Sequence, residues 1–122
     1  GEPSHQVFSV TNPEGEQPLR LILTAAGGAA RGIRLELDRV REVEIAAVLR
    51  DGEALVYDGA ESAVLYSPRW EVLGTIPVNA SLLRLGPGEH RLLLDADLAA
   101  REGVFLKMEL RIQGQPEPVR GK

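Results

Sequence analysis

The chain has no cysteine, only five aromatic residues in 122, and no excess of basic charge. Each scarcity removes a class of explanation. Without thiols there is no disulfide scaffold and no thiolate metal site, and the compartment stays open because exported proteins also lack cysteine. The net charge is −4 with a pI near 5.2, and both signs are interspersed. Nucleic-acid binding needs a positive footprint and rings to stack on bases, so it is not expected. No apolar run approaches the roughly 18 residues needed to span a bilayer, so membrane insertion is not expected either. The amino end, "GEPSHQ", carries neither a charged n-region nor an apolar h-region.

What is present suffices for one folded unit. Hydrophobic residues make up 43% and charged residues 26%, a balance that supports a single core rather than disorder. The leading Gly1 and the polar end "QGQPEPVRGK" read as edges of a module joined to linkers. The expected organisation is one domain over 1–114, with 115–122 as a polar tail or linker.

Period-two alternation is the dominant signal. Ile33, Leu35 and Leu37 alternate with Arg34, Glu36 and Asp38, and Val104, Leu106, Met108, Leu110 and Ile112 alternate with Phe105, Lys107, Glu109 and Arg111. Leu19, Leu21 and Leu23, then Leu92, Leu94 and Ala96, repeat the pattern, and "HQVFSVT" reads as a first strand. Successive strand side chains point to opposite faces, so each stretch buries one face and wets the other. Asn12-Pro13-Glu14-Gly15, Gly27-Gly28, Asp51-Gly52, Asp58-Gly59 and Gly86-Pro87-Gly88 punctuate the apolar runs as turns. The expected fold is all-β, an antiparallel, jelly-roll-like β-sandwich.

Two segments carry helical signals. In "DRVREVEIAAVLRDG" the strand reading through Val43, Ile45, Ala47 and Leu49 competes with a helix over 39–50 capped by Asp38. The strand is preferred, because the flanking stretches "RGIRLELD" and "EALVYDG" fit a hairpin; the helix would make the fold α+β. "DADLAAREG" predicts a short helical turn over 97–102, capped by Asp95 or Asp97 and ended by Gly103.

No motif specifies a reaction. In "GPGEH" the glycines resemble a phosphate loop, but a strand-like run follows where a helix is needed, and Glu89 would repel phosphate. A sheet corner is the reading. "GAESA" around Ser62 has Ala63 where a nucleophile elbow needs glycine. His5, in the expected frayed end, and His90 read as surface histidines, so no enzyme is expected and no cofactor. Asp95, Asp97 and Glu102, or Asp51 with Glu53, or Asp58 with Glu61, offer oxygen ligands, which keeps a structural calcium open. "NAS" at Asn79 matches the glycosylation acceptor.

The stretch "LVYDGAESAVLYSPRWEVLG" holds Tyr57, Tyr66 and Trp70 among Asp58, Glu61, Arg69 and Glu71. Flat rings stack on sugar C–H faces while charged groups meet hydroxyls, so Tyr57, Tyr66, Arg69 and Trp70 are the candidate ligand-binding residues. The competing reading places Trp70 and one tyrosine in the core.

The stretches "VEIAAVLRDGEALVYDG" and "LGPGEHRLLLDADLAAREGVFLKMELRI" resemble galactose-binding-like β-sandwich modules, including carbohydrate-binding modules appended to bacterial glycoside hydrolases. "LGTIPVNASLLRLGPGEHRLLL" resembles, over a shorter length, the PEGA type of bacterial surface β-domain. The resemblance implies a noncatalytic binding role toward a polysaccharide or another protein domain, in an extracellular or periplasmic setting. A structural or protein-interaction domain, using a strand edge or apolar patch, is the alternative.

Overall fold

Alternation lets this chain close a core with strands alone. In "RLILTAA" Leu21, Leu23 and Ala25 are buried, while the residues between them are only partly covered. The computed structural model describes residues 2–114 and 119–120. Their strands are β1 (Glu2–Asn12), β2 (Gln17–Pro18), β3 (Arg20–Ala26), β4 (Ala30–Leu37), β5 (Arg41–Ile45) and β6 (Ala54–Tyr57). They continue as β7 (Ser62–Tyr66), β8 (Val72–Pro77), β9 (Arg84–Leu85), β10 (Gly88–Leu98), β11 (Phe105–Arg111) and β12 (Val119–Arg120). The fold is an all-β antiparallel sandwich. A four-stranded sheet, β1-β10-β4-β5, and a six-stranded sheet, β12-β11-β3-β6-β7-β8, share one core, and β2 pairs β9 apart from both.

Leucine builds that core. The large, fully buried side chains are Ile33 and leucines, among them Leu21, Leu35, Leu92 and Leu94. Burying one such side chain is worth roughly 1.5–3 kcal/mol, so a chain poor in aromatics still has its driving force. Register brings the faces together: Leu35 lies opposite both Leu94 and Val43, and Leu23 opposite both Met108 and Leu55.

Residues 38–52 are not helical. β5 pairs with β4 through a three-residue connection, Asp38-Arg39-Val40, in which Asp38 and Arg39 both have positive φ and Val40 N–H donates to the Leu37 carbonyl at 3.3 Å. Two consecutive left-handed residues let the chain reverse tightly into a hairpin. Val43, Ile45 and Leu49 are buried, whereas Val40, which a helix would turn inward with Val43, is exposed. The expected hairpin between this segment and "EALVYDG" does not form, because β5 and β6 belong to different sheets.

The helical turn expected over 97–102 is absent. β10 instead runs to Leu98, opposite Glu2 on β1 and Ala30 on β4, and a turn over 100–103 leads to β11. Pairing on both sides overrides the local preference of "DLAARE". A 3-10 turn over Ala80–Leu82 is the one helical element among the described residues. Within the expected tail, Val119 and Arg120 pair with Leu110 and Glu109, and residues 115–118, 121 and 122 lie outside the described residues.

The inward phase of β10 can be tested by contrast. Leu94→Ala is expected to cost about 2–5 kcal/mol in urea unfolding, whereas Leu73→Ala on exposed β8 should stay within about 0.5 kcal/mol. Comparable losses at both sites would contradict this packing.

Candidate binding surface

The β7–β8 hairpin carries three of the four residues singled out from the sequence. Its loop, Ser67–Glu71, closes on itself: Trp70 N–H donates to the Ser67 carbonyl at 2.9 Å, and Ser67 N–H to the Glu71 carbonyl at 2.8 Å. Ser67 Oγ accepts the N–H of Arg69 at 3.2 Å and of Glu71 at 3.1 Å. Pro68 presets the turn entry, and the facing Asp51-Gly52 turn lies close enough that a Cβ on Gly52 would come within 3.1 Å of it.

Trp70 has a left-handed backbone, φ 62°, and its residue is 59% exposed. An L-residue there costs roughly 1–2 kcal/mol, which is why glycine or asparagine usually occupies such a position. The indole ring meets Tyr66, with centroids 5.3 Å apart and planes tilted by 53°. Tyr66 points outward because its neighbours Ala63 and Leu65 take the core phase of β7. Arg69 forms no ion pair among the described residues. Val72 and Leu73 continue the exposed apolar surface onto β8.

Tyr57 does not join this cluster. It lies opposite Leu21 on the core side of β6, only 2% exposed. Its hydroxyl is buried without a hydrogen-bond partner among the described residues, and burial pushes its pKa up. The run "ALVY" is apolar at every position, so its sequence hides the phase that sends Leu55 and Tyr57 inward.

A second constellation lies on the outer face of the four-stranded sheet. His5, Asp95 and Arg34 are direct cross-strand neighbours on β1, β10 and β4. Asp95 accepts from His5 Nδ1 on one oxygen and Arg34 Nη2 on the other. The row lines an open groove of about 590 Å³, with Glu44 and Asp97 also on its walls and Gly32 at the β4 bulge. His5 therefore belongs to a paired strand rather than a frayed end. Asp95 is a buried ion-pair centre rather than a helix cap. Burial favours its neutral form, but the Arg34 and His5 hydrogen bonds outweigh this and hold its pKa below the ordinary carboxylate value.

His90 is also not a loose surface residue, its side chain being only 11% exposed. Nδ1 lies 2.6 Å from Asp38 Oδ2 and Nε2 2.7 Å from the Gly86 carbonyl oxygen. Other acids serve turns: Asp51 accepts Gly27 N–H at 2.8 Å, and Asp58 accepts Ala60 N–H at 3.3 Å. Ser62 opens β7 with no following helix, and Asn79 Oδ1 accepts the Ser81 hydroxyl at 2.7 Å. Among the described residues no three of His, Asp and Glu converge to hold a metal ion, and no helix is long and apolar enough to cross a membrane.

No protein-family model, curated protein or solved structure matches this chain.

The Asp95 row predicts an acid-sensitive contribution to stability. Because its folded pKa is lowered, the contribution is complete above the ordinary value of 3.8 and is lost as pH falls through the lower folded value. Asp95→Asn should cost about 1–2 kcal/mol at neutral pH, discounted for its solvent-exposed partners. It should also flatten that part of the profile, which urea midpoints measured from pH 2 to 6 on both proteins will check.

Proposed function

We propose that this chain is a noncatalytic β-sandwich binding module that holds a polysaccharide at the β7–β8 tip through Tyr66, Arg69 and Trp70. The observation that carries the reading is Trp70, mostly exposed on a strained backbone where its ring packs only against Tyr66 among the aromatics. Strain kept at a surface position points to a role outside the core. The tilted Tyr66–Trp70 pair offers apolar ring surface to sugar C–H groups, and Arg69 and Glu71 beside it offer donors and acceptors to hydroxyls. An extracellular or periplasmic setting belongs to the same reading.

A second reading, docking of a partner protein, is favoured by Val72 and Leu73, exposed beside Trp70. Strand addition to β8 is the weaker form of it. Val78 N–H donates to the Glu61 carbonyl, which sets the phase of the hairpin. It turns the backbone groups of Thr75 and Pro77 toward the open edge, and proline has no N–H to give there. The register also shifts between Leu65 and Tyr66, so the edge is short as well as blunted.

Trp70 is the one tryptophan in the chain, so its emission reports on this place alone. Titration with a panel of soluble polysaccharides, with and without calcium, is expected to give a saturable change with at least one glycan. Trp70→Ala should abolish binding, and Trp70→Gly should do so while raising stability by about 1 kcal/mol through relief of the left-handed backbone. Emission that no glycan moves would sink the polysaccharide reading.

A further inference from the structure

His90 sits between two acceptors. Asp38 faces Nδ1 as a carboxylate that already accepts Arg91 N–H at 2.9 Å and lies 3.5 Å from Arg41 Nη2. The Gly86 carbonyl faces Nε2 and has no proton to offer. A neutral imidazole donates from one nitrogen only, so it would leave one of these contacts as lone pair against lone pair. Both contacts are satisfied together only when both nitrogens carry protons.

The two acceptors belong to different parts of the chain. Asp38 forms the β4–β5 turn, where it and Arg39 hold positive φ, and its own N–H donates to the Arg91 carbonyl at 2.8 Å. Gly86 lies in the corner between β9 and β10. Its carbonyl also accepts Asn12 Nδ2 at 3.0 Å, and Arg41 Nη1 reaches the neighbouring Arg84 carbonyl at 2.9 Å. The charged groups packed around the ring are Asp38 from the turn and Arg41 from β5. The corner contributes the Gly86 carbonyl oxygen, and β1 places apolar Val10 opposite.

We infer that His90 is a proton-dependent latch: its imidazolium staples the β9–β10 corner to the β4–β5 turn, and loss of one proton releases that corner. Asp38 stays ionised throughout the relevant range. Burial disfavours its charge, but the hydrogen bonds from His90 and Arg91 and the nearby cations hold its pKa below the ordinary value. For His90, burial disfavours the charge, and the Asp38 and Gly86 bonds outweigh it, leaving the pKa above 6.5. The latch is therefore whole below pH 6.5, where the unfolded chain also binds the proton, and is lost as pH rises through the higher folded value.

Direct observation of the His90 ring nitrogens by NMR across pH 5 to 10 tests this in the unaltered protein. Both nitrogens are expected to be protonated at the acid end of the range, and the ring to lose one proton with a midpoint above 6.5. Amide exchange, corrected for its intrinsic pH dependence, should accelerate at residues 38–41 and 84–91 through that midpoint and not in β3. Asp38→Asn should move the midpoint down, and His90→Gln should remove the pH dependence of exchange at the corner. A midpoint at or below 6.5, or a corner whose exchange ignores the His90 titration, would overturn the latch.

Discussion

β10 is paired along both sides, by β1 and β4, and its register determines what the smaller sheet presents on each face. With Leu92 opposite Phe8 and Leu37, and Leu94 opposite Gln6 and Leu35, its leucines enter the core and Asp95 faces outward. A slip of one residue would exchange Leu94 with Asp95 and drive a carboxylate into a leucine core, where an unpaired charge is very costly. The same register places Asp95 between His5 and Arg34, so the ion row both follows from the alignment and disfavours alternatives. It also sets His90 at the core-facing end of the strand, within reach of the turn that closes β4 onto β5.

Among the described residues, left-handed backbone occurs at three non-glycine positions, and the structure accounts for them differently. Asp38 and Arg39 form the tight β4–β5 hairpin connection, and the Asp38 carboxylate and amide tie it to His90 and Arg91. The strain there is offset by contacts that need that geometry. At Trp70 the loop's hydrogen bonds run through backbone groups and Ser67 Oγ, which a glycine would accommodate equally. Only the ring contact with Tyr66 uses the indole, and most of its residue surface faces solvent. The large side chain therefore adds little to the fold in return for its backbone.

Strand phase was legible wherever polar and apolar residues alternated strictly. "GIRLEL", "LRLILT" and "HRLLLDA" present the faces their patterns require, and "GPGEH" is a corner leading into β10. Phase was hidden in "ALVY", where Tyr57 took the core position, while Tyr66 on β7 took a partly exposed one. Turn chemistry also misled: the aspartates of "DADLAAREG" have the spacing of helix caps, yet Asp95 is held by partners 90 and 61 positions away in sequence. His5 and His90 found their roles through the same long-range register, which alternation cannot supply because it gives faces and not neighbours.

The tip belongs to the larger sheet and the latch to the smaller one, toward opposite ends of the sandwich. Ala54, at the start of β6, lies opposite Tyr66 beside the tip, while the turn after Tyr57 reaches β2, a Cβ on Gly59 falling 2.7 Å from Pro18. β2 in turn pairs with β9, next to the His90 corner. Between the two ends lies a leucine core in paired strands. The hydrogen bonds that set the Trp70 loop stay within residues 67–71, while those of the latch join His90 to Asp38 and to the Gly86 carbonyl. The two sites therefore rest on separate contacts, each fixed by its own turn at its own end of the sandwich.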